Sequence, residues 1–400
     1  MGKFCLTIFI QVFLLVASHA QFAVRLKIND LPKEPRRFDL YIAGSFNGWN
    51  PQSENYIFQR EGNGEYYIEL ELPAGTYEYK ITRGGWDKVE CKKDGAGKEN
   101  RRMVISADTI IKLDIEEWQD HFATKPGTST AGKNVKIIDT AFLIPQLNRV
   151  RRVWIYLPRF YDMAPQNSRW PVLYMHDGQN VFDDATSFSG EWGVDEFFDT
   201  AYARPWIVVA IDNGAGKRIN EYCPYDFSLK TLGLSSADTL NKGEGDQYVD
   251  FLVKTLKPFI DKNYRTLKDK KNTFIAGSSM GGLISLYAVL KYPKVFGGAG
   301  VFSPAFWVAP KIFDDIKEKG EKVKANIYFY AGKQEGETMV PLTLKAFDEM
   351  LKVSKSKMKT VIRDEGKHNE QRWRIEFPSG FYWMVEPNST KPGKTYTGPK

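Results

Sequence analysis

The segment Phe274-Ile-Ala-Gly277-Ser278-Ser279-Met280-Gly281-Gly282 spells G-x-S-x-G between an apolar run and a helix expected over Leu283 to Tyr292. Glycines flanking the serine allow a strained strand-to-helix turn that lifts the hydroxyl above a sheet. The amino end of the helix, with the N–H of Met280, is then placed to hold an oxyanion. The chemistry this implies is nucleophilic attack by Ser279 on a carbonyl carbon, which requires a base to take the hydroxyl proton. Leaving aside His19 near the amino terminus, the histidines are His121, His176 and His368. In sheets with this elbow the order is serine, acid, histidine, so His121 falls too early. His176 closes an early apolar run and is expected to be structural. His368, in Glu365-Gly-Lys-His368-Asn-Glu, has the right place for the base.

The acid that orients the imidazole should leave a strand between the serine and the histidine. The run Ile327-Tyr-Phe-Tyr-Ala-Gly332-Lys-Gln-Glu335-Gly-Glu337 supplies one. Glu335 is the expected acid, with Glu337 and then Asp364 as alternatives. A second oxyanion donor is expected from the loop His176-Asp177-Gly178-Gln179-Asn180, through the N–H of Gln179.

Positioning these groups requires a sheet. From about residue 134, buried apolar runs alternate with helical segments. Val153 to Leu157, Val172 to Met175, Ile207 to Ile211, Thr273 to Ala276, Gly300 to Phe302, Ile327 to Tyr330 and Thr360 to Ile362 read as strands. The clearest helix carries Tyr248, Phe251, Leu252, Leu256, Phe259 and Ile260 on one face, with a kink expected at Pro258. Strands alternating with helices predict an α/β domain, over 136 to 385, with a mostly parallel sheet covered on both faces.

The chain before this reads differently. Phe22, Val24, Leu26 and Ile28, then Ile68, Leu70 and Leu72, then Tyr77, Tyr79 and Ile81, alternate with mainly polar neighbours. Turn signals at Phe46 to Pro51, Pro73 to Gly75 and Arg83 to Gly85 separate them, so residues 21 to 117 are expected to form a β-sandwich. Lys125-Pro-Gly-Thr-Ser-Thr-Ala-Gly-Lys133 has no hydrophobic period, and 118 to 135 is expected to be a linker. The Pro-, Thr- and Lys-rich stretch 386 to 400 is expected to be a disordered tail.

Composition bounds the remainder. With 42% hydrophobic and 26% charged residues, a collagenous or largely disordered chain is excluded. Lys3, the apolar run Leu6 to Val16 and Ala17-Ser18-His19-Ala20 read as an export signal over 1 to 20. That run is shorter than the roughly 20 apolar residues of a membrane span, so a secreted or periplasmic protein without a membrane partner is expected. The 56 basic and 49 acidic residues are interspersed, which argues against a nucleic-acid partner. Cys91 and Cys223 are expected to be free or buried thiols. Neither has a Cys or His at ligand spacing, so no metal site and no cofactor is expected.

Several motifs together resemble the esterase D, or carbohydrate esterase family 1, group of α/β-hydrolases, which includes feruloyl, acetyl xylan and enterochelin esterases. These motifs are Val153-Trp-Ile-Tyr-Leu-Pro158, the H-D-G-Q-N segment at 176, Arg218-Ile-Asn-Glu221-Tyr222 and Pro258-Phe-Ile-Asp261. The Ser279 elbow, Phe302-Ser-Pro-Ala-Phe-Trp307 and the His368 segment complete the set. The resemblance implies an α/β-hydrolase fold, with Asp177, Arg218 and Trp307 lining the substrate. The acid position G-x-x-D of feruloyl esterases reads Gly332-Lys-Gln-Glu335 here, a departure shared with glutamate-using members. The first domain resembles the immunoglobulin-like early-set modules of carbohydrate-binding families 48 and 20, through Tyr41-Ile-Ala-Gly-Ser-Phe-Asn-Gly-Trp49-Asn and Gly75-Thr-Tyr-Glu-Tyr-Lys80. That implies Trp49, Lys80 and Trp86 as glycan contacts, although the same aromatics would also serve a sandwich core. The expected activity is removal of an acyl group from an ester-bearing carbohydrate. Hydrolysis of a siderophore trilactone, or glycan binding on an inactive hydrolase scaffold, are the alternatives. Oligomeric state has no signature in the sequence.

Overall fold

The computed structural model describes residues 21–32, 38–62, 64–95, 97–122, 129–200, 205–228 and 240–386. The export signal expected at 1–20 lies outside the described residues, as does the tail beyond Glu386. The chain forms two compact units that divide after His121, except that Phe46–Asn50 is grouped with the second.

The first unit contains one sheet in the order Gln59–Arg60, Tyr66–Pro73, Gln21–Asp30, Thr109–Asp114, and another in the order Tyr41–Gly44, Gly75–Thr82, Arg101–Ile105. The alternation seen in the sequence becomes one-sided burial. Val24, Leu26 and Ile28 point inward from the first strand, opposite Leu70 and Ile68 of its antiparallel neighbour. The unit extends past the expected boundary at 117. Glu117–Trp118 pairs with Glu90–Cys91, Trp118 is fully buried, and Gln119–His121 adds a turn tied down by Arg83 on Asp120.

The second unit is built on eight strands. They are β1 (Val135–Ile144), β2 (Arg149–Tyr156), β3 (Val172–His176), β4 (Ile207–Ile211), β5 (Thr273–Ser278), β6 (Gly298–Phe302), β7 (Asn326–Gly332) and β8 (Lys357–Arg363). Their order in the sheet is β1-β2-β4-β3-β5-β6-β7-β8. From β4 to β8 each neighbouring pair is parallel, and β1 and β2 are antiparallel additions at one edge. The strand alternation sorts the side chains into two cores. Ile155, Tyr174, Val209, Ile275, Val301 and Phe329 face one set of helices, including Met280–Lys291. Trp154, Met175, Ala210, Ala276, Phe302 and Tyr330 face the other, where Phe377 and Phe381 of the helix Glu370–Val385 pack. Each such aromatic, fully buried, contributes on the order of 2 kcal/mol.

Two sequence expectations change here. Strand β1 occupies residues assigned to the linker and to the domain start, because at the sheet edge only its Phe142 and Ile144 are buried. The described end of the linker is also fixed in place: Ser129 Oγ and the Thr130 N–H donate to Asp183, and the Gly132 N–H donates to Asp195. Carboxylates rather than apolar contacts hold this segment, so it shows no hydrophobic period. Finally, the helical stretch from Gly245 to Asn263 meets Pro258 with a π-turn at Leu252–Leu256, which fits a residue lacking the N–H for the regular ladder.

Candidate active site

Strand β5 ends at Ser278, and the helix Met280–Lys291 begins one residue after Ser279. Ser279 sits between them at φ 58° and ψ −121°, a conformation L residues rarely adopt. Its N–H donates to the Phe302 carbonyl and its own carbonyl accepts from Ala305, so neighbouring strand β6 over-determines the strained turn. The glycines make the turn possible: a Cβ at Gly282 would lie 2.7 Å from the Phe302 carbonyl oxygen, and one at Gly277 would lie 3.0 Å from the His176 ring.

Beyond β8, His368 lies on the loop leading into the helix Glu370–Val385, which Asn369 caps by accepting from the Arg372 N–H. His368 Nδ1 is 2.7 Å from Glu335 Oε2. The Glu335 side chain is fully buried, and its other oxygen accepts from the Gly332 N–H at 2.7 Å and from Ser303 Oγ at 2.9 Å. Glu337 is exposed, and Asp364 is 81% exposed and paired with Lys333. Of the three candidate acids, Glu335 is the one brought to His368. A His368–Ser279 hydrogen bond is not formed in this arrangement; such bonds commonly tighten only when substrate arrives.

The loop after β3 turns sharply at Asp177, whose φ is 55°. A Cβ at the next residue, Gly178, would lie 2.8 Å from the backbone of Ile211 at the end of β4. Gln179 occupies the short turn Gly178–Asn180, where its carbonyl accepts from Thr186 and its Oε1 from the Asn213 N–H. Among the described residues its own N–H has no backbone carbonyl partner, and the Met280 N–H, first in its helix, has none within the helix.

Asp177 and Arg218 are engaged with each other. Arg218 grips Asp177 with two bonds of 2.6 and 2.8 Å, and Asn213 adds a third donor at 2.8 Å. Burial alone would raise the Asp177 carboxyl, but the guanidinium overrides it and holds the group below the usual carboxylate range. His176 is structural in its contacts: it is buried against Tyr222 and Tyr248, its Nδ1 is 3.0 Å from the Tyr248 hydroxyl, and burial lowers its pKa to about 4. Trp307 is partly buried and packs against the core under the elbow helix. Trp49, Lys80 and Trp86 are each partly buried, and Lys80 Nζ donates to the Lys98 carbonyl at 2.6 Å.

Residues 144–384 match the model of a family described as "Putative esterase", and residues 42–117 match that of the pullulanase X25 domain. The chain belongs to this esterase family. It is 28% identical over 159 residues to the uncharacterized protein YbbA of Bacillus subtilis, covering 39% of this chain and 58% of that one. It is 27% identical over 224 residues to an endo-1,4-beta-xylanase/feruloyl esterase of Xylanibacter ruminicola, covering 55% of this chain and 27% of that one. The matched segments are thus shorter than two thirds of these relatives. The enterobactin esterase FES of Shigella flexneri shares the fold, with a TM-score of 0.50 and 17% identity over 85% of this chain and 86% of that one. Residues 144–384 of the second unit are therefore an esterase-family domain, and its fold is that of the FES enzyme.

In this esterase domain three supporting residues escaped sequence reasoning. Ser303 donates to Glu335 and accepts from Trp373 Nε1 at 2.8 Å, while the Trp373 ring meets the His368 ring edge-on at 5.0 Å. Ser303 was visible inside the Phe302 to Trp307 motif; Trp373 had no signal beyond being aromatic. Glu370 is the third. It is buried, accepts from Asn180 Nδ2 at 3.1 Å, and burial pushes its carboxyl up to about 7, with Asp177 adding to the shift. Nothing in its local sequence marks it.

Proposed function

We propose that this chain is an exported serine esterase that removes acetyl- or feruloyl-type acyl groups from a polysaccharide or oligosaccharide through a Ser279–His368–Glu335 triad. The observation that carries the reading is the 2.7 Å contact between His368 Nδ1 and a fully buried Glu335, beside the strained Ser279 elbow. Ser279 Oγ attacks the ester carbonyl carbon while His368 Nε2 takes its proton. Glu335 accepts from Nδ1–H, fixing the tautomer and stabilising the imidazolium. The negative oxygen of the tetrahedral adduct is held by the N–H groups of Met280 and Gln179. Collapse expels the sugar alcohol, which takes the proton from His368. Water, deprotonated by the same nitrogen, then releases the acid and restores Ser279.

A carbohydrate substrate is supported by the X25 match, whose description names a pullulanase, and by the xylanase/feruloyl esterase relative. Trp49, Lys80 and Trp86 are the proposed glycan contacts, and Trp307 the proposed acyl-side wall. The siderophore reading draws on the FES likeness, but Arg218, the cation that would meet a catecholate, is committed to Asp177. The test is a panel on the secreted protein: p-nitrophenyl acetate, methyl ferulate, acetylated xylan and a ferric trilactone siderophore. Turnover of the siderophore alone would overturn the carbohydrate assignment, and turnover of none would overturn the esterase assignment.

A further inference from the structure

We propose that Glu191, Asp195 and Glu196 form a binding site for a divalent, oxygen-preferring cation of the calcium class. The site lies where the segment after β3 enters the helix Val194–Thr200, in the second unit. One carboxylate oxygen from each residue lies within 4.8 Å of the other two. Glu191 and Asp195 are buried, and the Glu196 carboxylate approaches both.

Crowded acids alone would not indicate a ligand, but two of these oxygens lack what buried oxygens need. Asp195 is fully buried; its Oδ2 accepts from the Gly132 N–H at 2.6 Å, while its Oδ1 has no hydrogen-bond partner among the described residues. In the partly exposed Glu196, the Oε2 atom is also covered and without a hydrogen-bond partner among the described residues. A buried carboxylate oxygen facing other carboxylates requires a proton or a cation. The cation present, Arg374, does not suffice. Its Nη1 reaches Glu191 at 3.2 Å and its Nη2 stands 3.9 Å from Glu196. Three carboxylates against one guanidinium leave two negative charges, which one divalent ion neutralises. The donor set contains only oxygen, which suits calcium or magnesium and not zinc or copper. Thr130 Oγ1, 3.2 Å from Glu191 Oε2, and water would complete the coordination shell that calcium prefers.

The position gives the ion a structural consequence. Thr130 and Gly132 belong to the strap from the preceding segment, and Arg374 to the helix Glu370–Val385. Between Glu191 and that helix, the Trp192 N–H donates to the Asn180 carbonyl at 2.8 Å, and Asn180 in turn donates to Glu370. An ion on the three carboxylates would fasten the loop carrying Gln179 to the helix that follows His368. Binding is independent of the esterase reading and is measured without substrate.

The experiment uses the secreted chain stripped with a chelator, verified metal-free by elemental analysis, and titrated with calcium chloride at about pH 7.5, followed by calorimetry and melting. Expected are one ion per chain and a rise in Tm of several degrees, with a weaker response to magnesium, since ligand binding stabilises the native state by mass action. Asp195→Asn and Glu196→Gln should abolish the calcium-dependent rise while melting at or above the temperature of the calcium-free parent, because each relieves repulsion. A folded parent that shows neither heat nor a Tm change up to about 10 mM calcium, well past the weakest protein calcium sites, would overturn the proposal and leave shared protons on the carboxyls. An undiminished calcium response in the Asp195→Asn/Glu196→Gln double variant would overturn it too, by placing the ion elsewhere.

Discussion

Two of the carboxylate groups in the esterase domain, Glu335 and the Glu191–Asp195–Glu196 cluster, differ in their surroundings. Glu335 is surrounded by donors: the Gly332 N–H, Ser303 Oγ and His368 Nδ1 occupy both of its oxygens. Glu191 and Asp195 face each other and Glu196, and burial together with that proximity drives both carboxyls upward. An anion already met by donors is held in one orientation, which suits it to steer an imidazole. Anions that face one another are incomplete without a further positive group. The same residue types in one fold thus serve different ends, decided by which neighbours supply hydrogen.

The contrast can be broken most directly at the nucleophile. Ser279→Ala should lower esterase turnover on the order of 10⁴-fold or more while leaving the calcium-dependent melting shift unchanged. Unchanged turnover would remove the triad from consideration. Next in size is the acid. Glu335→Gln keeps the shape but not the charge facing the imidazolium, and kcat should fall by about 10- to 10⁴-fold, whereas Glu337→Gln should change it little. Reversal of those two results would move the acid by two residues.

Glu370 lies between the two groups and sharpens the comparison through pH. Burial, with Asp177 adding to it, raises its carboxyl from 4.5 in the open chain to about 7 in the native state, against the opposing pull of His368 and Arg218. The native state therefore binds this proton more tightly than the unfolded chain. Stability from this residue is full below about pH 4.5 and is lost as pH rises through about 7. Glu370→Gln should flatten the fall in Tm between about pH 5 and pH 8, and a variant with the parent's slope would exclude Glu370 as its source. The smallest effect concerns the proposed glycan contacts. Replacing Trp49 and Trp86 with Ala should reduce retention in xylan, glycogen or starch gels by about 1 kcal/mol per lost aromatic contact, with small-ester turnover unaltered. Equal mobility in all three gels would leave these aromatics as packing groups.

Much of the fold could be read locally. The five buried strands from β3 to β7 are continuous apolar runs, and such runs announce themselves because both faces of their sheet are covered. Strand β1 could not be read in the same way, since an edge strand with most side chains in water lacks that signature. The export signal read from residues 1–20 lies outside the described residues and is decided by neither argument.

The sequence by itself determined the elbow, because the glycines that permit the turn adjoin Ser279 and their geometry is local. It singled out His368 as the candidate base by order, few histidines being available. It left Glu335, Glu337 and Asp364 in competition, and only the tertiary structure brings one of them, Glu335, to His368. The reason is that Ser303 lies 32 residues from Glu335 in the chain, and its hydroxyl reaches the carboxylate only after β6 and β7 pair. Cys and His spacing carries no mark of Glu191, Asp195 and Glu196, since acids at a helix start read as solvated charges. Their burial beneath Thr130, Gly132 and Arg374, contributed by segments up to 183 residues away in sequence, is a property of the folded chain alone.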